Sequence, residues 1–320
     1  MNEFELIKKY FSKLSQRSKS TLNLNDDVFF NKNNNLVVSV DTYIEGCHFI
    51  NFKNPDLVIK KVIRSSISDL VCKGVKPKYF FLSGSGNNKS FTNKKLAKIS
   101  NSLKEEQKKY NIILGGGDTV YSNKLSFTVT TIGFSKKIVY RNKSKVNDDI
   151  YVTGTLGDSF IGLMILKNKI RLNKNLSNYF INKYYKPEIQ YSLTNEINKI
   201  ATSSIDLSDG LIEDLNKLTN KQKNSYELFL DKIPVSKNLN LVTNLKNLLK
   251  KNLISKGDDY QILFTANTKY KNFIRKISSL KKIKITLIGK IHDSSQKSSI
   301  LDRNNRKIKI HNKGYKHVFD

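Results

Sequence analysis

Residues 36–49, LVVSVDTYIEGCHF, open as a strand and close in chemistry. Leu36, Val37, Val38 and Val40 are apolar and mostly β-branched, and the upstream run 31–35, NKNNN, supplies a turn. Asp41 stands where the strand should run out, followed by Thr42, Glu45, Gly46 and His48. A strand fixes its backbone, so carboxylates at its end are well placed to hold a hard cation. Taken alone, the stretch reads equally well as a hairpin with a polar turn.

Five further acidic motifs tip the balance. They are Asn25-Asp26-Asp27, Ser68-Asp69-Leu70, Leu114-Gly115-Gly116-Gly117-Asp118-Thr119, Asp206-Leu207-Ser208-Asp209-Gly210 and Gly257-Asp258-Asp259-Tyr260. The chain has only 27 acidic residues against 57 Lys and Arg, so this gathering beside Gly, Ser and Thr is selective. One such Asp is an ordinary turn or N-cap residue. Six sets are better explained by Mg²⁺, which takes one or two carboxylates plus substrate phosphates. Glycines beside them let backbone approach phosphate oxygens. The constellation reads as metal-assisted phosphoryl transfer. There is no GxxxxGK[ST] loop, no dinucleotide-binding glycine pattern and no protein-kinase motif set. No nucleophile stands out: Cys47 and Cys72 form no CxxC and read as small apolar fillers.

The net charge of +30 invites a nucleic-acid-binding reading. The lysines are spread over the whole chain, however, and a basic charge alone specifies no partner. A positive field also steers a polyanionic small substrate. Apolar runs are too short to span a bilayer, and the N-terminus lacks the apolar core of a signal peptide. With two cysteines and no disulfide framework, a cytoplasmic protein is expected.

Periodicity predicts an amphipathic helix at 1–14, helices at 57–73 and 93–110, and strands at 78–83, 111–114 and 125–134. A turn-rich charged stretch, 135–149, carries the expected domain boundary. Beyond it, strands are predicted at 150–153, before Asp206, within 254–266 and at 283–291, with helices from about 160 and over 211–218. Strands and helices in both halves argue for a mixed α+β or α/β fold.

In this order, DDV, SVDTYIEGCHF, SDLVCKGVKP, LGGGDT, YVTGTLGDS, IDLSDGLIEDL, GDDYQILFT and GYKHVF resemble the thiamine-monophosphate kinase family. Its superfamily also holds aminoimidazole ribonucleotide synthetase and selenophosphate synthetase. The resemblance covers nearly the whole chain. It implies two domains: residues 1–140, a β-sheet, barrel-forming unit binding metal and ATP and mediating dimerisation, and residues 141–320, an α/β sandwich closing over nucleotide and substrate with the turn Gly154 to Ser159. It implies ATP-dependent phosphorylation of thiamine monophosphate to thiamine diphosphate by direct in-line transfer, in a cytoplasmic homodimer. Asp27, Ser39, Val40, Asp41, Asp69, Asp118, Asp206 and Asp209 fall on Mg²⁺ positions, Val40 through its backbone. Of these, Asp27, Asp41, Asp69, Asp118 and Asp206 carry the catalytic role. Tyr110, Gly117, Asp118, Arg141 and Ser208 fall on ATP positions, and His48, Asp258 and Tyr315 on substrate positions.

Two departures from the family pattern stand out. Asn25 replaces the usual Gly, and Asp258 replaces Glu, one methylene shorter. The alternatives are an aminoimidazole ribonucleotide synthetase-type purine-pathway enzyme, which shares fold and ATP, and, from another class, a basic nucleic-acid-binding protein. GCHF after DTYIE and the closing GYKHVF favour the thiamine enzyme.

Overall fold

The computed structural model describes residues 1–219, 224–246, 250–310, 314–317 and 319. Val318 of the closing GYKHVF motif lies outside them. The first half contains α1 (Glu3–Leu6), β1 (Phe29–Asn31), β2 (Leu36–Ile44), α2 (Pro55–Cys72), β3 (Pro77–Gly86), α3 (Asn93–Tyr110), β4 (Ile113–Gly116), β5 (Thr119–Tyr121) and β6 (Ser126–Phe134). The second contains β7 (Asp149–Thr153), α4 (Asp158–Leu166), α5 (Lys174–Tyr185), α6 (Thr194–Ile200), β8 (Ala201–Asp206), α7 (Leu211–Thr219) and β9 (Asn224–Phe229). It continues through α8 (Lys237–Lys246), α9 (Lys250–Leu253), β10 (Ile262–Ala266), α10 (Lys271–Lys281), β11 (Ile285–Asp293) and β12 (Ser299–Leu301). Short 3₁₀ turns fill several connections.

These strands make two mixed sheets, as the α+β expectation required. The first runs β1-β2-β6-β3-β4, with β5 also paired to β3, and the second runs β12-β9-β11-β7-β10-β8. β2 pairs antiparallel with β6, Ser39 opposite Thr131 and Asp41 opposite Val129. Strand alternation puts Val37, Ser39 and Tyr43 on the buried face with Asp41, and turns Val40 outward at 62% exposure.

The helix predicted over 57–73 forms as α2, with Pro55 in its first turn. The structure changes the reading of its surface. Periodicity suggests one apolar face, yet Lys61, Arg64, Ser65, Ser66 and Ser68 are buried as well. α2 lies between the two sheets and packs on both β2 and β6 of one and β8 of the other. Val58, Val62 and Ile67 share a single apolar cluster with Val129 from the first sheet and Tyr151 and Phe264 from the second. Gly74 ends the helix at φ +74, and a Cβ there would sit 2.7 Å from Asn198 Cβ of α6, so only glycine lets the two halves meet here.

α3 has the predicted bounds, with the Thr92 hydroxyl accepting from the Lys95 amide at its start and Asn111 in the left-handed conformation at its end. The N-terminus departs from expectation. Instead of one helix over 1–14, α1 gives way to a π-helical turn, Ile7–Phe11, and a 3₁₀ turn, Ser12–Ser15. Phe4, Tyr10, Phe11 and Leu14 stay exposed, and a helix this short is marginal without a packed apolar face.

Because α2 serves both sheets, Ile67→Ala should lower unfolding stability by about 2–5 kcal/mol. Urea denaturation followed by circular dichroism and tyrosine fluorescence should give one coincident transition. Two separated transitions would show the sheets to be energetically independent.

Candidate active site

Four carboxylates converge between the sheets from four elements. Asp27 comes from the loop before β1, Asp41 from β2, Asp69 from the last turns of α2 and Asp206 from the end of β8. Neutral hydroxyls serve two of them. Ser39 donates to Asp69 Oδ2, and Ser68 donates to Asp206 Oδ2 at 2.6 Å. Asp41 Oδ2 is buried with no hydrogen-bond partner. Burial and the neighbouring Asp206 and Asp27 push the Asp41 carboxyl up to about 7. Burial and Asp27 push Asp206 to about 6, and burial with Asp41 and Asp206 holds Asp69 well above the usual carboxylate range.

Asp27 behaves differently. Burial acts to raise it, yet Arg141 and Lys73 hold its carboxyl below the ordinary range. Arg141 Nη1 lies 3.0 Å from Asp27 Oδ1, and Lys73 Nζ lies 2.8 Å from Oδ2, an ion pair without an aligned hydrogen bond. The Arg141 amide also donates to Asp26 Oδ2 at 2.9 Å, and its Nε to the Asn25 carbonyl.

The residues expected at substrate positions are His48, Asp258 and Tyr315. Lys61 Nζ donates to Asp258 Oδ1 at 2.7 Å and sits 3.8 Å from the centre of the Tyr184 ring. Tyr260 donates to the same Asp258 oxygen at 3.1 Å, and the Asp258 amide donates to the Ser208 carbonyl at 2.8 Å. His48 accepts from the Ile44 amide through Nδ1 and stands 5.6 Å, ring to ring, from His317. Burial first, then His317, lowers its pKa. The Tyr315 hydroxyl lies 3.6 Å from Cys47 Sγ, and its amide donates to the Asp209 carbonyl at 3.0 Å. A cavity of about 300 Å³ opens here, lined by Asn2, Phe4, Asp209, Glu213, Tyr315 and His317. The chain termini close one side of it, the Met1 ammonium donating to the Phe319 carbonyl at 2.6 Å.

Other predicted residues stand apart from the cluster. Asp118 is exposed in the β4–β5 turn, where its carboxylate accepts from the Thr119 amide. Gly117 packs on β3 so closely that a Cβ would lie 1.8 Å from the Leu82 carbonyl oxygen. Tyr110 is buried against Tyr191 and Arg64, its hydroxyl unpartnered. Asp209 is paired with Lys217. In the Gly154 to Ser159 turn, the Gly157 amide is already bonded to the Asp259 carboxylate at 2.9 Å. Lys61, Lys73 and Lys217 are charged partners of these residues that motif reading did not single out. Lys61 had one signal, its place on the same helical face as Val58, and Lys73 lay within SDLVCKGVKP; Lys217 had none.

The donor set of carboxylates and hydroxyls, with one buried oxygen left unsatisfied, fits a hard cation such as Mg²⁺. Among the described residues no three His, Cys, Asp or Glu side chains form a closed metal cage. That suits an ion held by one or two carboxylates with phosphate oxygens completing its shell.

Residues 25–135 match the family described as AIR synthase related protein, N-terminal domain. The fold agrees over nearly the whole chain with the structure of AaThiL complexed with AMPPCP and TMP, at a TM-score of 0.85 and 25% identity, covering 99% of this chain and 97% of that one. It also matches thiamine monophosphate kinase from Aquifex aeolicus, TM-score 0.80 at 24% identity, over 96% and 99% of the two chains, a likeness of fold. The architecture is therefore that of the AIR synthase-related proteins. Among curated relatives, thiamine-monophosphate kinase from Buchnera aphidicola subsp. Acyrthosiphon pisum is 36% identical over 98% of both chains. The Haemophilus influenzae protein of the same name is 33% identical over 92% of this chain and 90% of its own. The chain belongs to the thiamine-monophosphate kinase family.

If mutual repulsion dominates the cluster, Asp41→Asn should melt several degrees above the unsubstituted protein in excess chelator. Adding millimolar Mg²⁺ should then stabilise the unsubstituted protein more than the variant. Equal melting temperatures in chelator would show that Asp41 carries no electrostatic strain.

Proposed function

We propose that this protein transfers the γ-phosphoryl group of ATP to thiamine monophosphate, giving thiamine diphosphate and ADP. The observation that carries the reading is the gathering of Asp41, Asp69 and Asp206, carboxylates from three elements close enough to raise one another's pKa, with Tyr260 of the Asp258 loop beside them. The names of its relatives support it, as does the binding of AMPPCP, an ATP analogue, and TMP by a protein of the same fold.

An oxygen of the substrate's phosphate attacks the γ-phosphorus, and the bond to the β–γ bridging oxygen breaks as ADP leaves. That phosphate oxygen is already ionised near neutral pH, so the chain has no need of a strong general base. Asp41, Asp69 and Asp206 would hold Mg²⁺, with Ser39, the Val40 backbone, Asp27, Asp118 and Asp209 as further positions given by the resemblance. When bound, Mg²⁺ supplies charge neutralisation on the β- and γ-phosphate oxygens. Arg141, rigidly tied to Asp26 and Asp27, offers a fixed positive field beside the nucleotide, and Tyr110, Gly117, Asp118 and Ser208 are assigned to ATP contact. His48, Asp258 and Tyr315 orient the thiamine end. The Lys61–Asp258 pair keeps that carboxylate in place and compensates for its shorter reach, so positioning carries much of the rate.

We infer the two-domain division at residues 1–140 and 141–320, supported by strands of the first sheet ending at Phe134 and those of the second starting at Asp149. We infer also a cytoplasmic homodimer. Among the described residues no helix is long and apolar enough to cross a membrane. Val40, Phe81, Ile113, Val120 and Phe134 expose an apolar face on the first sheet, an area suited to a second copy.

Purified protein with ATP and excess Mg²⁺ should form thiamine diphosphate from thiamine monophosphate and none from free thiamine, read by chromatography. Asp69→Asn should lower the rate by roughly 10²-fold or more, the scale of losing electrostatic stabilisation of the transition state. Turnover of formylglycinamidine ribonucleotide instead would move the chain to the purine branch. Light scattering should report a dimer that Val40→Asp converts to monomer; a monomeric parent protein would rule out the homodimer.

A further inference from the structure

We propose that Lys73 and Lys217 are resident cations of the carboxylate site. They occupy the places at Asp27 and Asp209 that divalent ions would otherwise take, and withdraw those two carboxylates from the divalent positions that the resemblance gives. The inference rests on the metal-assisted phosphoryl-transfer reading above and narrows it.

The acidic motifs divide into two kinds by their partners. Asp41, Asp69 and Asp206 have hydroxyl partners or, at Asp41 Oδ2, none. Asp27 and Asp209 are matched with ammonium groups built into the chain. Lys73 is fully buried. Its ammonium donates to the Ser204 carbonyl at 2.9 Å and forms ion pairs with Asp26 Oδ1 at 2.7 Å and Asp27 Oδ2 at 2.8 Å. Arg141 takes the other Asp27 oxygen at 3.0 Å, so both oxygens of that carboxylate face a cation. Lys217, from α7, pairs with Asp209 Oδ2 and reaches Asp214 Oδ1 at 2.9 Å. Asp214 itself is fixed by the amides of Asp209 and Gly210.

A Mg²⁺ ion binds a carboxylate oxygen at about 2.0–2.1 Å and demands near-octahedral geometry. An ion on Asp27 or Asp209 would share its carboxylate with a buried ammonium, and the two like charges would repel at close range in a poorly screened site. The lysine cannot withdraw to water, since Lys73 is enclosed and bridges the loop before β1 to β8 of the other sheet. An ammonium carries one charge and cannot be chelated away, so this half of the site keeps its shape whether or not divalent ions are bound.

The test counts Mn²⁺ ions bound per chain in the presence of AMPPCP, using the paramagnetic signal of the free ion. It compares the full-length protein with Lys73→Met, Lys217→Met and Asp69→Asn, each checked for folding by circular dichroism. Each lysine variant should bind one more ion than the unsubstituted protein, and Mn²⁺ should raise its melting temperature further. Unchanged counts and unchanged Mn²⁺-dependent melting in folded lysine variants would overturn the inference. If Lys73→Met alone does not fold, the double variant Asp26→Asn/Lys73→Met removes one charge of each sign and carries the same expectation, as does Lys217→Met at the second position. Asp69→Asn separates the two claims. A count that falls in Asp69→Asn but is unmoved by the lysine variants sinks only the resident cations. A count that Asp69→Asn leaves intact sinks the metal-site reading on which they rest.

Discussion

Like charges held together out of water are the constraint on which this structure depends. Asp41, Asp69 and Asp206 repel one another, and each would retreat to solvent if its backbone allowed. None can. Asp41 is fixed by the β2–β6 ladder, Asp69 by a helix packed on both sides and Asp206 by the β8–β10 pairing. The apolar cluster around α2 supplies the rigidity that the carboxylates oppose. This explains why a helix so rich in Ser and carrying Lys61 and Arg64 is nonetheless buried all round. Arg64 is satisfied by a bidentate pairing with Glu106 of α3, at 2.8 and 2.9 Å, and Lys61 by Asp258.

Much of the fold was legible because local and tertiary signals agreed. α3 has a capping threonine, a regular apolar stripe and a left-handed asparagine at its end, so its bounds were readable to the residue. β2 was readable from β-branched residues after an Asn-rich turn. α2 was readable as a helix but not as a fully enclosed one, since its second apolar side is interrupted by polar residues whose partners come from distant segments. The N-terminal amphipathic pattern misled for the opposite reason. Periodicity described a face, and its residues Phe4, Tyr10, Phe11 and Leu14 remain exposed. Among the sites, the acidic motifs declared themselves by composition against a basic background. Lys73 and Lys217 could not, because a lysine that balances a buried carboxylate spells the same as one in water.

The Asp258 loop stores strain where the carboxylate cluster stores charge. Asp258 and Tyr260 both adopt left-handed backbone conformations, at φ +62 and +49, which non-glycine residues avoid. Gly257 beside them approaches the Ser208 carbonyl so closely that a Cβ would lie 2.3 Å from it. The loop is therefore interlocked with the motif that follows β8, and Lys61 anchors its carboxylate from the far side. The Asp258 carboxylate is thus held from both ends, by a strained backbone and by a buried lysine.

The shared helix has a consequence for the chain as it is made. When the first sheet has emerged from the ribosome, α2 can pack on β2 and β6, but its other side still lacks β8, α5 and α6. Val62, Ile63 and Ile67 then wait, partly bare, together with one uncompensated cation, Lys61, until at least residue 258 has been synthesised. Nascent chains of this protein should accordingly be held by chaperones over a long window of translation, and that window should close late and abruptly, when the second sheet docks.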